Sequence, residues 1–378
     1  MKRGTRRRAR RGGEVGIVVR VRSRVLAVAL ATVVLALPAA PALAQDRRDI
    51  RDQHLFRLEF DNDTFFASDD AFSAGWSLQL HSPLLDSWEG TFPGWVGHLP
   101  GLGDDGEGGR IVRWSAGLSQ VIVTPHDITI AEPQPEDSPW AGILGLHGAL
   151  SSNDNRRLAA VQLYLGCMGP CSQAEDVQRF VHEDLHRGES PAGWSNQLDT
   201  QILGNLNLSW SRKLLVPDDS AYAHGRWARD VAIGGQVGVG NLATYARAQI
   251  EYRFGLSVPM GFTHVPDPPG IGIALDPVYA LPDASPGESC GWRSYASVVV
   301  RTTYFEHLAP AEGGRTENGG FHPGVDANQG QPEVLIGLHV GRAPAALHLT
   351  YYRYLFGRQE IGTASSLDWM NLSLEMRF

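Results

Sequence analysis

Long apolar runs, lysine and cysteine are all scarce in this 378-residue sequence. Crossing a bilayer as a helix takes about 20 consecutive apolar residues, whereas the uncharged apolar run at residues 25–37 has 13 and no later run is long enough. A helical membrane protein is therefore excluded. The sequence also lacks a repeat of fixed period, a low-complexity tract and any sign of a second domain.

The scarcity of lysine leaves arginine to supply nearly all the positive charge, because only Lys2 and Lys213 occur. The first 24 residues carry ten Lys or Arg and one Glu, and without residues 1–44 the chain keeps 23 basic and 40 acidic residues, a formal charge of −17. Phosphate binding needs a basic surface, so no nucleic-acid partner is expected. Divalent cations are the natural counterions.

The beginning of the chain has the form of a secretory leader. The basic stretch precedes the apolar run 25–37, and Ala42-Leu43-Ala44 has the small-x-small form of a signal-peptidase site. We predict that residues 1–44 are a cleaved signal peptide and that residues 45–378 form a single domain.

Three cysteines remain to be placed. Cys167 and Cys171 lie four residues apart around a Gly-Pro pair, and Cys290 stands alone. In an oxidising compartment the first two could close a small disulfide ring; the alternative is that all three are unpaired thiols. Cys-x3-Cys without a partner pair is weak evidence for a metal site.

The last nine residues alternate strictly between apolar and polar side chains. Apolar residues occupy every even position from Met370 to the terminal Phe378, and polar residues occupy the odd ones. This is the period of a strand with one apolar and one polar face. Ending on an aromatic residue is typical of bacterial outer-membrane barrels. The alternative is an amphipathic edge strand of a soluble sandwich.

Further alternating segments extend this pattern along the chain. Twelve are predicted, at 55–62, 72–82, 110–123, 139–151, 157–166, 199–213, 226–240, 242–256, 291–306, 332–342, 346–356 and 367–378. An even number suits a closed, up-and-down antiparallel transmembrane barrel, and we predict this all-β fold in the outer membrane of a Gram-negative cell.

Because both termini of such a barrel face the periplasm, its connections alternate between the two sides of the membrane. Connections 63–71, 124–138 and 167–198 then fall outside. Connections 83–109 and 257–290 fall on the periplasmic side, where they are longer than usual.

The first candidate cluster is acidic. Glu59-Phe60-Asp61-Asn62-Asp63 precedes Asp69-Asp70 and then Phe72-Ser73-Ala74-Gly75, which places several carboxylates at the top of a predicted hairpin. Oxygen ligands on a short loop can hold a hard cation such as calcium. The alternative is ordinary turn chemistry with a solvated acidic tip.

The second cluster is a predicted loop helix at 176–186, whose apolar stripe is formed by Val177, Phe180, Val181 and Leu185. Gln178, His182 and His186 follow one another at one-turn spacing beside that stripe. Here His182 could act as a general base. The alternatives are solvated surface histidines, or a zinc protease, because residues 182–186 fit His-Glu-x-x-His, although no third ligand follows at that family's spacing.

Taken together, the chain from about residue 55 to its end resembles the outer-membrane lipid A 3-O-deacylase family. The matching motifs are Leu58-Glu59-Phe60-Asp61-Asn62-Asp63-Thr64-Phe65-Phe66, Phe72-Ser73-Ala74-Gly75, Thr124-Pro125-His126-Asp127, Asp137-Ser138-Pro139-Trp140-Ala141-Gly142, Gly169-Pro170, Gln178-x3-His182, Gly193-Trp194-Ser195-Asn196-Gln197-Leu198, Gly240-Asn241 and Thr244-Tyr245-Ala246. This resemblance implies a twelve-stranded barrel with its site at the outer end.

The resemblance also implies roles for individual residues. His182 would activate water, with Gln178 beside it. Asn62, Asp63 and Ser73 would form the polar cluster opposite, in which Asp63, with Asn62, would hold a Ca²⁺ ion that polarises the ester carbonyl. The implied substrate is lipid A, or lipopolysaccharide, in the outer leaflet.

Three serines depart from the family pattern. Ser73 stands where a threonine is usual, Ser138 stands where an arginine is expected, and Ser190 leaves no obvious aromatic side chain near the base. These changes bear on the identity of the substrate more than on hydrolysis.

Two rival functions stay open. A barrel phospholipase would use a nucleophilic serine, for which Ser73, His182 and Asn62 could supply the residues. A pore or adhesin would use the acidic loops to set cation preference, with His182 incidental. The sequence leaves the acyl chain and the oligomeric state open.

Overall fold

The computed structural model describes residues 52–62, 74–103, 110–185, 189–217, 219–222, 225–263, 265–266, 280–281, 292–325, 330, 332–342, 344–354 and 369–378. The predicted leader 1–44 and Cys290 lie outside the described residues. Arg47–Glu175 with Pro191–Phe378 form one compact unit, and a second unit includes Asp176–Ser190.

Twelve antiparallel strands form a closed barrel. They are β1 (Leu55–Asn62), β2 (Ala74–His81), β3 (Ile111–Val123), β4 (Ala141–Asn153), β5 (Arg157–Met168), β6 (Gln201–Leu215), β7 (Trp227–Gly240), β8 (Ala243–Leu256), β9 (Arg293–Leu308), β10 (Pro332–Arg342), β11 (Ala345–Tyr354) and β12 (Trp369–Arg377). All twelve predicted strands are confirmed, and their ends differ from the prediction by no more than about two residues.

Each strand pairs with its neighbours in sequence, and β1 closes the barrel by pairing with β12. That seam runs from Leu55 opposite Arg377 to Asn62 opposite Met370. Because β12 also pairs with β11, the last strand has no free edge. The alternative of a soluble edge strand is therefore wrong.

The period of two separates the two faces of the wall. Large apolar side chains on the outer face are exposed, among them Leu163, Leu165, Leu206, Leu208 and Trp210. Polar side chains alternate with them and are buried in the lumen, among them Gln162, Asn205 and Asn207. An apolar outer band around a polar interior is the arrangement that a lipid bilayer requires of a barrel.

Both chain termini of the barrel lie at one end, here called the terminal end, and the opposite end is called the outer end. At the terminal end, the beginning of the connection after β8 folds into the lumen. Its residues Val258, Phe262 and Val265 are buried, and Arg253 of β8 donates a 2.6 Å hydrogen bond to the carbonyl oxygen of Gly261. Tyr352 of β11 donates to the carbonyl of Pro266. Because these residues occupy part of the lumen, the structure does not favour the alternative that the protein is an open pore.

Helices are few and short in the residues that the structure describes. They are α1 (Ala174–Arg179), which continues as a π-helical turn (Phe180–Asp184), α2 (Ala309–Glu312), and 3₁₀ turns at Gly94–His98, Pro170–Ser172, Trp194–Asn196 and Asp219–Tyr222. Two pairs of two-residue strands form small sheets separate from the barrel sheet, Met260–Gly261 with Ala280–Leu281 and Gly314–Arg315 with Phe321–His322. Within the described ranges, none of the helices combines the length and the apolar character that spanning a membrane would demand.

Candidate active site

The predicted acidic cluster divides between the barrel wall and the connection after β1. Asn62 is the last residue of β1, where its backbone pairs with Ala74 of β2 and Met370 of β12 at the outer end. Asp63 and Ser73 lie outside the described residues. The predicted polar cluster of Asn62, Asp63 and Ser73 therefore stays a prediction. The structure describes only the backbone of Asn62 at the outer end of β1.

Two carboxylates of this cluster belong to the wall and not to a loop tip. Glu59 is buried in the lumen and accepts hydrogen bonds from Ser77 Oγ at 2.8 Å and Gln79 Nε2 at 2.9 Å. Asp61 accepts a 2.8 Å bond from Asn371 Nδ2. The strand period explains the difference, because odd-numbered residues of β1 point inward. The hydrogen bonds of these two carboxylates stabilise β1, the strand that ends at Asn62.

A turn held by a disulfide leads into the candidate loop helix. Cys167, near the end of β5, is joined to Cys171, and the carbonyl of Ser172 accepts a 2.7 Å bond from Gln120 Nε2 of β3. A Cβ at Gly142 would lie 2.1 Å from Ser172 Oγ and 2.2 Å from Cβ of Ala174. The glycine therefore allows the start of α1 to pack directly on the backbone of β4.

His182 lies in the π-helical turn that follows α1, within the predicted helix. The ring is half-buried, and its Nδ1 lies 2.7 Å from the carbonyl oxygen of Glu189. A carbonyl only accepts, so Nδ1 carries the proton and donates. In the neutral ring, Nε2 is then left with a lone pair, which is the form that a general base requires.

Glu183 connects the two segments that make this hydrogen bond. Its Oε1 accepts from Arg179 Nη1 at 3.2 Å and from Ser190 Oγ at 2.7 Å. The Ser190 hydroxyl is the main reason that the pKa of Glu183 lies below its ordinary value. The bond from Ser190 thus holds the neighbouring Glu189 beside His182.

The predicted apolar stripe of this helix is only partly correct. Val181 and Leu185 are exposed, at 37% and 53%, whereas Gln178 is buried at 3%. The cause is the π-helical turn, in which the Leu185 amide bonds the Phe180 carbonyl five residues back and rotates the later residues away from the helical spacing. His186, the second residue of the zinc-protease alternative, lies outside the described residues.

The remaining motifs mostly build a cap of loops at the outer end. Trp140 and Trp194 pack with ring centroids 5.0 Å apart, and a Cβ at Gly193 would lie 2.5 Å from Trp140 Nε1. Asn196 Nδ2 donates to the carbonyl of Ala131 at 2.8 Å. Glycine and tryptophan at these positions therefore serve close packing and not chemistry.

Two further residues of the cap come from a connection that the sequence did not single out. Asn318 Nδ2 donates to Asn196 Oδ1 at 2.6 Å, and Gln197 Nε2 donates to Glu317 Oε2 at 2.9 Å. These contacts join segments more than 100 residues apart in sequence. Neither Glu317 nor Asn318 belongs to a pattern that sequence inspection would separate from an ordinary polar loop.

Metal ligands do not converge anywhere in the described part of the chain, where no three His, Cys, Asp or Glu side chains could hold one ion. The predicted calcium ligand Asp63 lies outside the described residues, as do Asp69 and Asp70, so the calcium site stays a prediction. Oxygen donors of this kind are suited to calcium.

Comparison with known proteins identifies relatives of the chain. The family model described as outer membrane protein LpxR matches residues 26–378. The solved structure of LpxR from Salmonella typhimurium is similar, with a TM-score of 0.64 and 15% sequence identity over 86% of this chain and 100% of that chain. At this identity the likeness shows the fold.

A more distant likeness is to the β domain of the Bordetella autotransporter BrkA, with a TM-score of 0.37 and 11% identity over 86% of this chain and 97% of that chain. A search of curated proteins finds no match.

Proposed function

Because the chain belongs to the LpxR family of outer membrane proteins, we propose that it is a lipid A deacylase that hydrolyses the ester of a 3-O-linked acyl chain. The family match supports the reaction class. The hydrogen bond from His182 Nδ1 to the Glu189 carbonyl supports the choice of base.

The proposed reaction needs a group that removes a proton from water as water attacks the ester carbonyl. With Nδ1 donating to a carbonyl, Nε2 of neutral His182 accepts that proton. Gln178, one turn earlier in α1, is proposed as a positioning residue for the ring or the water. General-base catalysis of this kind contributes about 10²- to 10⁴-fold to rate.

The surroundings of His182 suit a lipid substrate. Val181 immediately precedes the base and Leu185 follows it by three residues, and both are exposed. Apolar side chains exposed beside a base offer a surface to an acyl chain, since burying an apolar surface against another stabilises the complex by about 25 cal/mol per Å².

We further propose that the reaction depends on calcium, with Asp63 and Asn62 among its ligands. When bound, the ion would polarise the ester carbonyl and stabilise the developing oxyanion. The negative formal charge of the mature sequence is compatible with divalent cation binding.

Replacing His182 with Asn tests the proposal, with His98→Asn as the matched control in a 3₁₀ turn at the terminal end. The mass of lipid A should fall by one acyl group in cells that make the wild-type protein or the control, and should stay unchanged with His182→Asn. Cold gel mobility or circular dichroism must show that the variant is a folded barrel. A folded His182→Asn protein with wild-type activity would refute the role of the base.

The mechanism and the activity are tested separately. A chelator should abolish activity and added calcium should restore it, whereas a serine-directed phosphonate should have no effect. Inhibition by the phosphonate would instead favour the serine phospholipase. An unchanged lipid A profile with the folded wild-type protein in calcium would exclude the deacylase.

A further inference from the structure

Three arginines point into the lumen at the terminal end, on strands that adjoin the seam of the barrel. Arg57 is the third residue of β1, Arg113 the third of β3 and Arg377 the last of β12. In the closed order, β12, β1, β2 and β3 are consecutive strands. Arg57 and Arg113 are both buried, so their charges are held away from bulk water.

Arg57 is the member of this group with carboxylate partners. Its Nε and Nη2 both donate to Glu375 of β12, the first at 3.2 Å, and its Nη1 lies 3.7 Å from Glu59 Oε1. Glu375 is shared, because His348 Nε2 lies 3.4 Å from the same Oε1 atom. The two nearby carboxylates are thus already engaged by other groups.

In the part of the chain that the structure describes, Arg113 makes no ion pair with a carboxylate. Its Nε donates to the carbonyl of Ser82 at 2.8 Å, but its buried Nη1 and Nη2 have no hydrogen-bond partner among the described residues. Nη1 of Arg377 is also buried and has no hydrogen-bond partner among the described residues. A buried guanidinium group with unsatisfied donors and an uncompensated charge destabilises the folded protein.

The charges around Arg113 increase this cost. Arg113 is within electrostatic range of Arg57, Arg377 and Glu375, and Arg377 is also within range of Arg293. Among the described residues, positive groups therefore outnumber the carboxylates that face them. A negative ligand placed among these guanidinium groups would satisfy the orphaned donors and offset the surplus charge together.

We propose that the terminal end of the lumen binds a small oxyanion, such as inorganic phosphate, between Arg113 and Arg377. The planar fork of a guanidinium group matches two oxygens of an oxyanion with parallel hydrogen bonds. A small ligand is proposed because Arg113 is buried and Nη1 of the half-buried Arg377 is inaccessible to solvent. In an outer-membrane barrel this end faces the periplasm, so the anion enters from that compartment and stabilises the seam between β1 and β12.

The test uses the full mature protein in a non-ionic detergent without phospholipid, with inorganic phosphate as the probe. Equilibrium dialysis with radiolabelled phosphate should show saturable binding. Urea unfolding in phosphate should have a higher midpoint than in chloride of equal ionic strength. In a separate experiment, a lipid with a phosphate headgroup should neither displace the labelled phosphate nor raise the unfolding midpoint, because the site is buried. Displacement of phosphate by the lipid would identify the headgroup as the ligand and would overturn the proposal of a free anion.

Arg113→Gln should weaken phosphate binding at least tenfold and abolish the shift in midpoint, because it removes the charge and two of the orphaned donors. Arg212→Gln, an exposed arginine on the outer face of β6, is the matched control and should bind like wild type. If Arg113→Gln does not fold, Arg377→Gln serves as the second variant. Absence of saturable binding to the wild-type protein, or equal binding by a folded arginine variant, would overturn the proposal.

Discussion

Asp230 lies at the centre of the charged network that holds the lumen segment 257–266 at the terminal end. Its carboxylate is fully buried and accepts hydrogen bonds from Lys213 Nζ at 2.8 Å, Arg253 Nε at 2.8 Å and Tyr222 OH at 2.9 Å. Glu251 is the other carboxylate of the network, 3.9 Å from Arg253. Two buried cations therefore depend mainly on Asp230 for compensation.

Asp230→Asn keeps the shape of the side chain and removes its charge, so it leaves Lys213 and Arg253 with one distant carboxylate. Breaking a buried pair in this way costs about 3–5 kcal/mol. The ratio of folded to unfolded protein should accordingly fall roughly 100- to 4,000-fold, since about 1.4 kcal/mol is a factor of ten. Arg253 also bonds the Gly261 carbonyl, so loosening of this arginine should expose the lumen segment.

Urea unfolding in lipid vesicles, followed by tryptophan fluorescence, measures the change in the free energy of unfolding. Asp199→Asn, at an exposed carboxylate of the outer end, should change it by less than about 0.5 kcal/mol. Adding Lys213→Met to Asp230→Asn should recover part of the loss, because it removes one uncompensated cation. A loss below about 1 kcal/mol in Asp230→Asn, or a further loss in the double variant, would refute this account of the network.

Two further predictions concern the cap at the outer end and the loop around Glu183. Gly193→Ala should destabilise the cap by about 1–3 kcal/mol, because the added Cβ would lie 2.5 Å from Trp140 Nε1. A protease should therefore cut this variant faster than wild type. The control Gly94→Ala, whose Cβ would have nothing within 4 Å, should be cut at the wild-type rate. The lowered pKa of Glu183 means that its bond from Ser190 stabilises the loop above the unfolded pKa of glutamate, and that this stabilisation is lost as the pH falls through the lower folded value. The protection factors for hydrogen exchange at residues 180–185 and 189–190, which correct for the slower intrinsic exchange at low pH, should therefore fall at acidic pH in wild type and be low at all pH values in Ser190→Ala; identical pH profiles of the protection factors would contradict the assignment.

The strands were predictable because the bilayer imposes one rule on every residue of the wall. A side chain that faces lipid must be apolar, and the next side chain faces the lumen, so the period of two persists over all twelve strands. The closing partner followed from the same rule, because a barrel without free edges must pair its first strand with its last. The long terminal-end connections were predicted in position, but nothing in their composition showed that residues 257–266 fold inward.

The contacts inside the lumen could not be predicted, because they depend on which inward side chains meet across the closed wall. Arg57 and Glu375 are 318 residues apart in sequence, and only the register of the seam brings them together. Sequence inspection likewise placed Glu59 at a hairpin tip, whereas the alternation of β1 turns it inward. In each case the residue type was known and the direction of the side chain was not.

The candidate site shows a different limit. The sequence placed His182 on a helix with a regular apolar stripe, but the π-helical turn exposes Val181 and Leu185 and lets the carbonyl of Glu189 reach the ring. A single widened turn of this kind has no periodic signal. The hydrogen bond that selects the tautomer of His182 was therefore not available to sequence reasoning.

The two ends of the barrel are held together by different forces, and this difference makes the functional tests separable. At the outer end, close apolar packing of Trp140 on Trp194 and hydrogen bonds donated by side-chain amides join the loops. At the terminal end, buried arginines and carboxylates hold the seam and the lumen segment. High salt therefore acts mainly on the terminal end, where the stabilising contacts are ionic, although burial reduces the screening. A substitution at His182 should alter lipid A without moving the unfolding midpoint, and a substitution at Arg113 should move the midpoint without altering the reaction. If both variants changed both properties, the ends would be coupled through the wall and the division of roles would fail.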